Sequence, residues 1–256
     1  MLLESVLKLI AVPFATSNCG DGRPNDHLAH RQHSTDWART EVLDQAKIRT
    51  PSMEMREFGG VGMRASVIGL GCNNFGIYQD AGQAIAVVRK ALDVGINFLD
   101  MAGEHGSGLE ESLVAEALGP RRKEVIIATK FGQAEMLGLK DGNMVFSEDK
   151  TRQGASRRWI MQAVEESLTR LKTDYIDLYQ VHVADPETPR EETLRALDDL
   201  VRQGKVRALG EAATFATADD LNTSQAIAAT NGLTSFATME ANCSILVRDA
   251  EKAIIQ

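Results

Sequence analysis

The sequence predicts an α/β fold of the (β/α)8-barrel type, incomplete at about six of its eight βα units and preceded by a β-hairpin. Three observations predict it. From residue 54 onward, short apolar runs alternate with segments of 3.6-residue period, which implies parallel strands joined by helices. Asp100, Lys130 and His182 fall at the ends of three consecutive predicted strands. In a barrel such ends converge on one mouth, whereas an open doubly wound sheet spreads them and binds its ligand near the first βα turn. Finally, Val67 to Met239 holds six strands in 173 residues, about 29 per unit, so eight units would need roughly two more than the 256 residues contain.

The elements follow in order. Residues 54–58 and 65–68 flank Gly59, Gly60 and Gly62, a hairpin signal, and 67–71 is a short buried strand. Asp80 starts a helix with Gln83 as its capping-box partner; Ile85, Val88 and Leu92 form its buried face and Gly95 ends it. A strand over 96–101, a helix over 109–118 and a strand over 124–129 come next, and 132–155 is a long polar loop. Ser156 caps a helix that buries Ile160, Ala163, Val164, Ser167, Leu168 and Leu171. Residues 175–181 form a strand, and Thr188 to Glu191 reads as a capping box with Pro189 at the first helical position. The following helix carries Leu194, Leu197, Leu200 and Val201 and stops at Gly204. A strand over 206–209, a helix over 218–229, a strand over 236–239 and a helix starting at 248 complete the pattern.

Composition bounds the function classes. The chain is 43% hydrophobic and 25% charged, so a sizeable core is available and whole-chain disorder is excluded. A net charge of −8 and a pI near 5.2 argue against nucleic acid or an anionic membrane as a partner. No stretch reaches the roughly 18–20 apolar residues of a membrane span. Cys19, Cys72 and Cys243 lie too far apart for a disulfide framework or a metal set, which suits a reducing compartment and a cytoplasmic location. Residues 1–52 read as an extension, poorly ordered or partly helical, with an apolar start and a polar, aperiodic remainder, and 53–256 as the barrel body. Glu4, Lys8 and Pro13 interrupt the apolar start, against a signal peptide. His27, His30 and His33 read as solvated side chains of that extension, because no acid or cysteine completes a metal set.

Singly, each strand-end residue has a structural reading: Asp100 as a loop cap, Lys130 as a snorkelling lysine, His182 as a hydrogen-bonded core histidine. Their coincidence at equivalent positions is what points to a site. Ser156, Arg157 and Arg158 open a helix and read as a cap with exposed arginines rather than an anion site.

From about Met55 the chain resembles the aldo/keto reductases, NADPH-dependent carbonyl reductases on a (β/α)8 barrel. The resemblance rests on 67–75 (VIGLGCNNF), 95–100 (GINFLD), 127–132 (IATKFG), 174–182 (DYIDLYQVH) and 195–207 (RALDDLVRQGKVR). It implies reduction of an aldehyde or ketone by hydride transfer from NADP(H), with Asp100, Lys130 and His182 at the catalytic centre. His105 stands where the family places its tyrosine acid. Asn73, Asn74, Phe75 and Glu240 would lie at the nicotinamide, Glu240 in place of a glutamine. After the fifth strand, 210–215 (GEAATF) departs from the family's Gly-x-Ser-Asn-Phe segment.

Three expectations follow. Beside Lys130, His105 should have a depressed pKa, giving slow turnover that rises toward acid pH. Glu104, adjacent to His105, is a conceivable substitute acid, but the strand-end geometry should turn it away from the mouth. The chain should be truncated before barrel closure, with open strand edges that an oligomer would cover. The altered residues also leave open a non-catalytic reductase-like module that binds a nucleotide or a protein.

Overall fold

The computed structural model describes residues 52–212 and 218–242, with 244, 246 and 248. The extension over 1–51, with its three histidines, and all but the first residue of the helix expected from 248 lie outside the described residues.

The hairpin comes first, as strands β1 (Met55–Phe58) and β2 (Met63–Ser66), paired antiparallel. The alternating body follows: β3 (Leu70–Gly71), α1 (Ala81–Asp93), β4 (Phe98–Asp100), α2 (Leu109–Leu118) and β5 (Ile126–Phe131). A second hairpin, β6 (Met136–Lys140) and β7 (Asn143–Phe146), precedes α3 (Arg157–Leu171), β8 (Ile176–Val181) and α4 (Arg190–Arg202). Then come β9 (Val206–Ala212), α5 (Ala218–Asn231) and β10 (Thr238–Glu240). Six strands form one parallel sheet in the order β3-β4-β5-β8-β9-β10, the sequential neighbour pairing of an incomplete barrel. Among the described residues β3 and β10 are its edges.

Local chemistry accounts for the helix starts. The Asp80 carboxylate accepts from the backbone N–H of Gln83, and Ser156 Oγ accepts from that of Trp159, so two otherwise orphaned donors are satisfied. The box at 188–191 does not form. Thr188 Oγ1 donates instead to Asp185 Oδ2 at 2.6 Å, and α4 starts after Pro189, whose carbonyl accepts from Glu192 and Thr193. The segment 132–155 is not a plain loop either. Asp141 (φ +52°) and Gly142 (φ +80°) make the two-residue turn of the β6–β7 hairpin, and both adopt the positive φ that such a turn demands.

The core follows from period-2 alternation in the sheet. Leu99, Ile127, Tyr179 and Leu209 point outward into the layer covered by helices, where Val88, Val114, Ile160, Val164, Leu194, Leu197 and Leu200 are fully buried. Truncating any of these leucines to alanine costs about 2–5 kcal/mol. Inside the barrel, Phe98, Ile126, Ala128, Leu178 and Ala208 form a second apolar cluster with Phe58 and Ala65 of the hairpin. The rings of Phe58 and Phe98 lie 5.1 Å apart, so the hairpin plugs the amino end of the barrel.

Candidate active site

The alternation that places Phe98, Ala128 and Leu178 in the interior places Asp100, Lys130 and Gln180 two residues further along the same inner face. Strand register then sets them side by side: Lys130 is opposite Gln180, and Gln180 is opposite Gly210. Lys130 is 3% exposed and Asp100 4%, and Lys130 Nζ donates to Asp100 Oδ1. Nζ also reaches the Met101 carbonyl at 3.3 Å and Glu240 Oε2 at 3.3 Å, the latter from the end of β10. Gln180 Nε2 adds a long contact of 3.5 Å to Asp100 Oδ1. Burial works against the ammonium, but the charges of Asp100 and Glu240 outweigh it and hold Lys130 above its usual value. It is a permanent cation at physiological pH.

The two histidines meet beside this pair. His182 follows β8 and His105 lies in the loop between β4 and α2, with ring centroids 5.6 Å apart in an edge-on arrangement. Each ring has its Nδ1 on a buried carboxylate. His105 Nδ1 lies 2.8 Å from Glu110 Oε2, and His182 Nδ1 lies 2.6 Å from Glu104 Oε1. Both acids are buried, Glu110 completely.

Two expectations are corrected here. Glu104 does not turn away from the site. Its backbone carbonyl accepts from Met136 of the β6–β7 hairpin, and its side chain accepts from both His182 and the Gln133 N–H. Nor is the His105 pKa depressed. Burial does disfavour the charged ring, but the hydrogen bond and charge of Glu110, with Glu104 in support, overcome both burial and Lys130 and raise it. The argument from Lys130 alone fails because two acids stand closer to the imidazole's balance than one lysine. Glu110 itself is pushed up by burial, against the pull of His105 and Lys130.

Backbone geometry around Gly108 fixes Glu110. Gly108 precedes α2 at φ +80°, and a Cβ there would lie 2.3 Å from Arg170 Cδ, so only glycine lets Arg170 lie across the start of the helix. Arg170 Nε donates to Glu111 at 2.6 Å, and Thr129 Oγ1 donates to the other Glu111 oxygen at 2.7 Å. With Glu111 committed to that side, Glu110 turns to His105. Sequence reasoning named Glu104 but turned it the wrong way, and it missed Glu110. The available signal was the need of each imidazole for a partner on its second nitrogen.

The remaining expected residues are less tightly joined. Asn73 is exposed, and the Asn74 carbonyl accepts from the N–H groups of Ile77, Tyr78 and Gln79, which folds the loop after β3. Phe75 is 3% exposed and packs into the outer core. Glu240 joins the Lys130 cluster directly. Among the described residues no group of three metal-ligating side chains occurs, and no helix is long and apolar enough to cross a membrane.

Comparison with known proteins agrees with this arrangement. The aldo/keto reductase family model matches residues 67–256. A curated aldo-keto reductase of Metarhizium robertsii, dtxS3, is 33% identical over 239 residues, 85% of this chain and 62% of its own. The versiconal hemiacetal acetate reductase of Aspergillus parasiticus is 34% identical over 218 residues, 79% of this chain and 63% of its own. The chain thus spans just under two thirds of either relative. A solved aldo-keto reductase from Bacillus halodurans in its holo form superposes with a TM-score of 0.53 at 34% identity, over 62% of this chain and 50% of that one. With a strand-end lysine–aspartate pair inside a parallel barrel sheet and a family match over most of its length, this chain belongs to the aldo/keto reductase family.

Proposed function

We propose that the protein is an NADPH-dependent reductase of a small aldehyde or ketone, with His105 as the proton donor. The observation that carries the reading is the buried Lys130–Asp100 pair with two carboxylate-backed imidazoles beside it, on the carboxyl ends of neighbouring strands. A bound reduced nicotinamide supplies the hydride to the carbonyl carbon. This chain's residues do the rest. His182, its ring held by Glu104, orients the carbonyl oxygen; His105 donates a proton to that oxygen; Lys130 and Asp100 set the field in which the charge develops. The cofactor fits the residues present in part: Glu240 offers a carboxylate that can accept from a carboxamide N–H, and Asn73 offers an exposed amide after β3. Asn73, Asn74, Phe75 and Glu240 are its proposed contacts, and residues 53–256 its body. A cytoplasmic location suits NADPH.

The test is oxidation of NADPH with a reactive aldehyde at pH 6 and pH 8. A rate above background that is larger at pH 6 and is lost in His105→Ala supports the reading; no turnover at either pH overturns it. One observation favours a second reading, a nucleotide-binding module without turnover: Glu240 is already ion-paired to Lys130. Quenching of tryptophan fluorescence by NADPH without oxidation would support that alternative.

A further inference from the structure

We infer that His105 and Glu110 work as one acid: Glu110 is a positioning residue that holds a shared proton against Nδ1, so that while this proton is held Nε2 presents a hydrogen to the carbonyl oxygen. The inference rests on the reductase reading for its consequence, but not for its geometry.

The imidazole is rigid, so a ring whose Nδ1 lies 2.8 Å from Glu110 Oε2 turns Nε2 to the opposite side. Glu110 is completely buried while the His105 side chain is 17% exposed, so the open side of the pair is the histidine's. The other carboxylate oxygen, Glu110 Oε1, is buried with no hydrogen-bond partner among the described residues. A lone carboxylate in that position, stripped of water and bonded through one oxygen only, is strongly disfavoured. A proton shared across the contact removes the penalty. Two arrangements share it: an imidazolium beside a carboxylate, or a neutral ring accepting at Nδ1 from a protonated Glu110. Both leave a hydrogen on Nε2. The pair therefore presents a donor whichever partner the shared proton sits on.

The surrounding charges agree. Around the ring stand Glu110 from α2, Glu104 from the same loop, His182 after β8, and Lys130 of β5, itself neutralised by Asp100 of β4 and Glu240 of β10. Cys72, after β3, faces the same acids, and burial together with Glu110 and Asp100 keeps its thiol protonated. Acids exceed the one fixed cation, so an additional proton is held.

The step balances. Hydride adds to the carbonyl carbon; the C=O π pair takes the Nε2 proton; any proton on Glu110 shifts to Nδ1. The product is an alcohol, and the pair is left as a neutral His105 donating through Nδ1 to ionised Glu110. Solvent reprotonates it through the exposed side of the ring.

The test is the proton NMR titration of the His105 ring in the full chain, its signal assigned by its loss in His105→Gln. In the parent protein the midpoint is expected above 6.5, with the Glu110 carboxyl carbon shifting at the same pH. In Glu110→Gln, burial and Lys130 remain while the closest acid is gone, so the midpoint falls below 6.5. Glu110→Asp should restore part of the shift. With NADPH and aldehyde, the Glu110→Gln rate should drop about tenfold at pH 8 and much less at pH 5.5, since each unit of pKa is tenfold in protonated fraction. A parent midpoint below 6.5, or one unmoved by Glu110→Gln, overturns the inference even if turnover is present. The expected titrations without turnover leave the inference standing and overturn the reductase reading instead. Should Glu110→Gln fail to fold, the parent titration with its Glu110 carboxyl signal decides alone.

Discussion

Both ends of the sheet bury an acid against a cation, and they do it differently. At the amino end Asp177, on β8, accepts from Arg122 at 2.8 Å, Arg207 at 2.9 Å and the Ile127 backbone N–H at 3.0 Å. Arg122 then spends its other donors on the carbonyls of Val125 and Tyr175 and on Thr173 Oγ1. Both guanidinium groups also stack on the Tyr175 ring, Arg122 Cζ 4.2 Å and Arg207 Cζ 3.8 Å from its centroid. Every partner there is permanently charged or uncharged. At the carboxyl end one lysine and two histidines face Asp100, Glu104, Glu110 and Glu240, and among the described residues one oxygen of Glu110 has no hydrogen-bond partner. Arginine cannot be deprotonated in a protein, whereas imidazole changes charge near neutrality. One end is a clasp whose cations keep their charge, and the other is a set of groups whose cations can exchange protons.

The largest effect should come from breaking the carboxyl end at its one fixed cation. Lys130→Met takes the ammonium from buried Asp100 and half-buried Glu240, a broken ion pair that costs about 3–5 kcal/mol. NADPH-dependent aldehyde reduction should fall at least about 100-fold through loss of preorganised charge. Urea denaturation and the oxidation assay check both arms; a variant with parent stability would mean that the acids reprotonate at no cost. The counterpart at the amino end, Asp177→Ala, should cost about 3 kcal/mol, because Arg122 and the Ile127 N–H lose their acceptor. Its pH–rate profile should nonetheless match that of the parent. A changed profile would show that the two ends are coupled through β8.

This contrast also explains what could be read before the fold was known. The six strands, the helix over 109–118 and the Asp80 and Ser156 caps were legible because each rests on a local rule: period, cap chemistry, a stop residue. Asp100, Lys130 and His182 were legible because strand ends in a barrel share one mouth. Glu104 and Glu110 were not. Acids at the start of a helix suit its dipole wherever they point, so sequence position alone does not separate Glu110 from an ordinary first-turn acid. Their role appears only once Gly108 and Arg170 have taken Glu111 away. The β6–β7 hairpin was hidden for a different reason: Leu137, Leu139, Met144 and Phe146 are all exposed, so no buried stripe announces its strands, and only the Asp141–Gly142 turn marks it.

A smaller effect sharpens the comparison through stability alone. The folded-state pKa of His105 is raised above its ordinary value of about 6.5, and burial raises that of Glu110. In both cases the folded state binds a proton more tightly than the unfolded chain. The Glu110 contribution is therefore full below its ordinary value of 4.5 and is lost as pH rises through its folded pKa, and that of His105 is full below pH 6.5 and is lost as pH rises through the folded pKa of His105. Denaturation midpoints should fall between pH 6 and pH 8.5 in the parent and in Asp177→Ala, and fall less in Glu110→Gln. Equal slopes in all three would assign the pH dependence to other groups.

The smallest expected effect tests the clasp without touching a charge. Tyr175→Leu keeps an apolar side chain under Arg122 and Arg207 but removes the ring face, and a cation–π contact at a partly exposed site is worth about 0.5–1 kcal/mol. Arg207 is half exposed, so its share is the lesser, and Arg122, 13% exposed, should carry most of the loss. Thermal melts should show a drop of a few degrees that added salt does not enlarge, because both guanidinium groups keep Asp177 as their partner. A loss as large as that of Asp177→Ala would mean that the ring, rather than the carboxylate, holds the two arginines in place. The amino end would then be an aromatic stack in which the ion pairs are secondary.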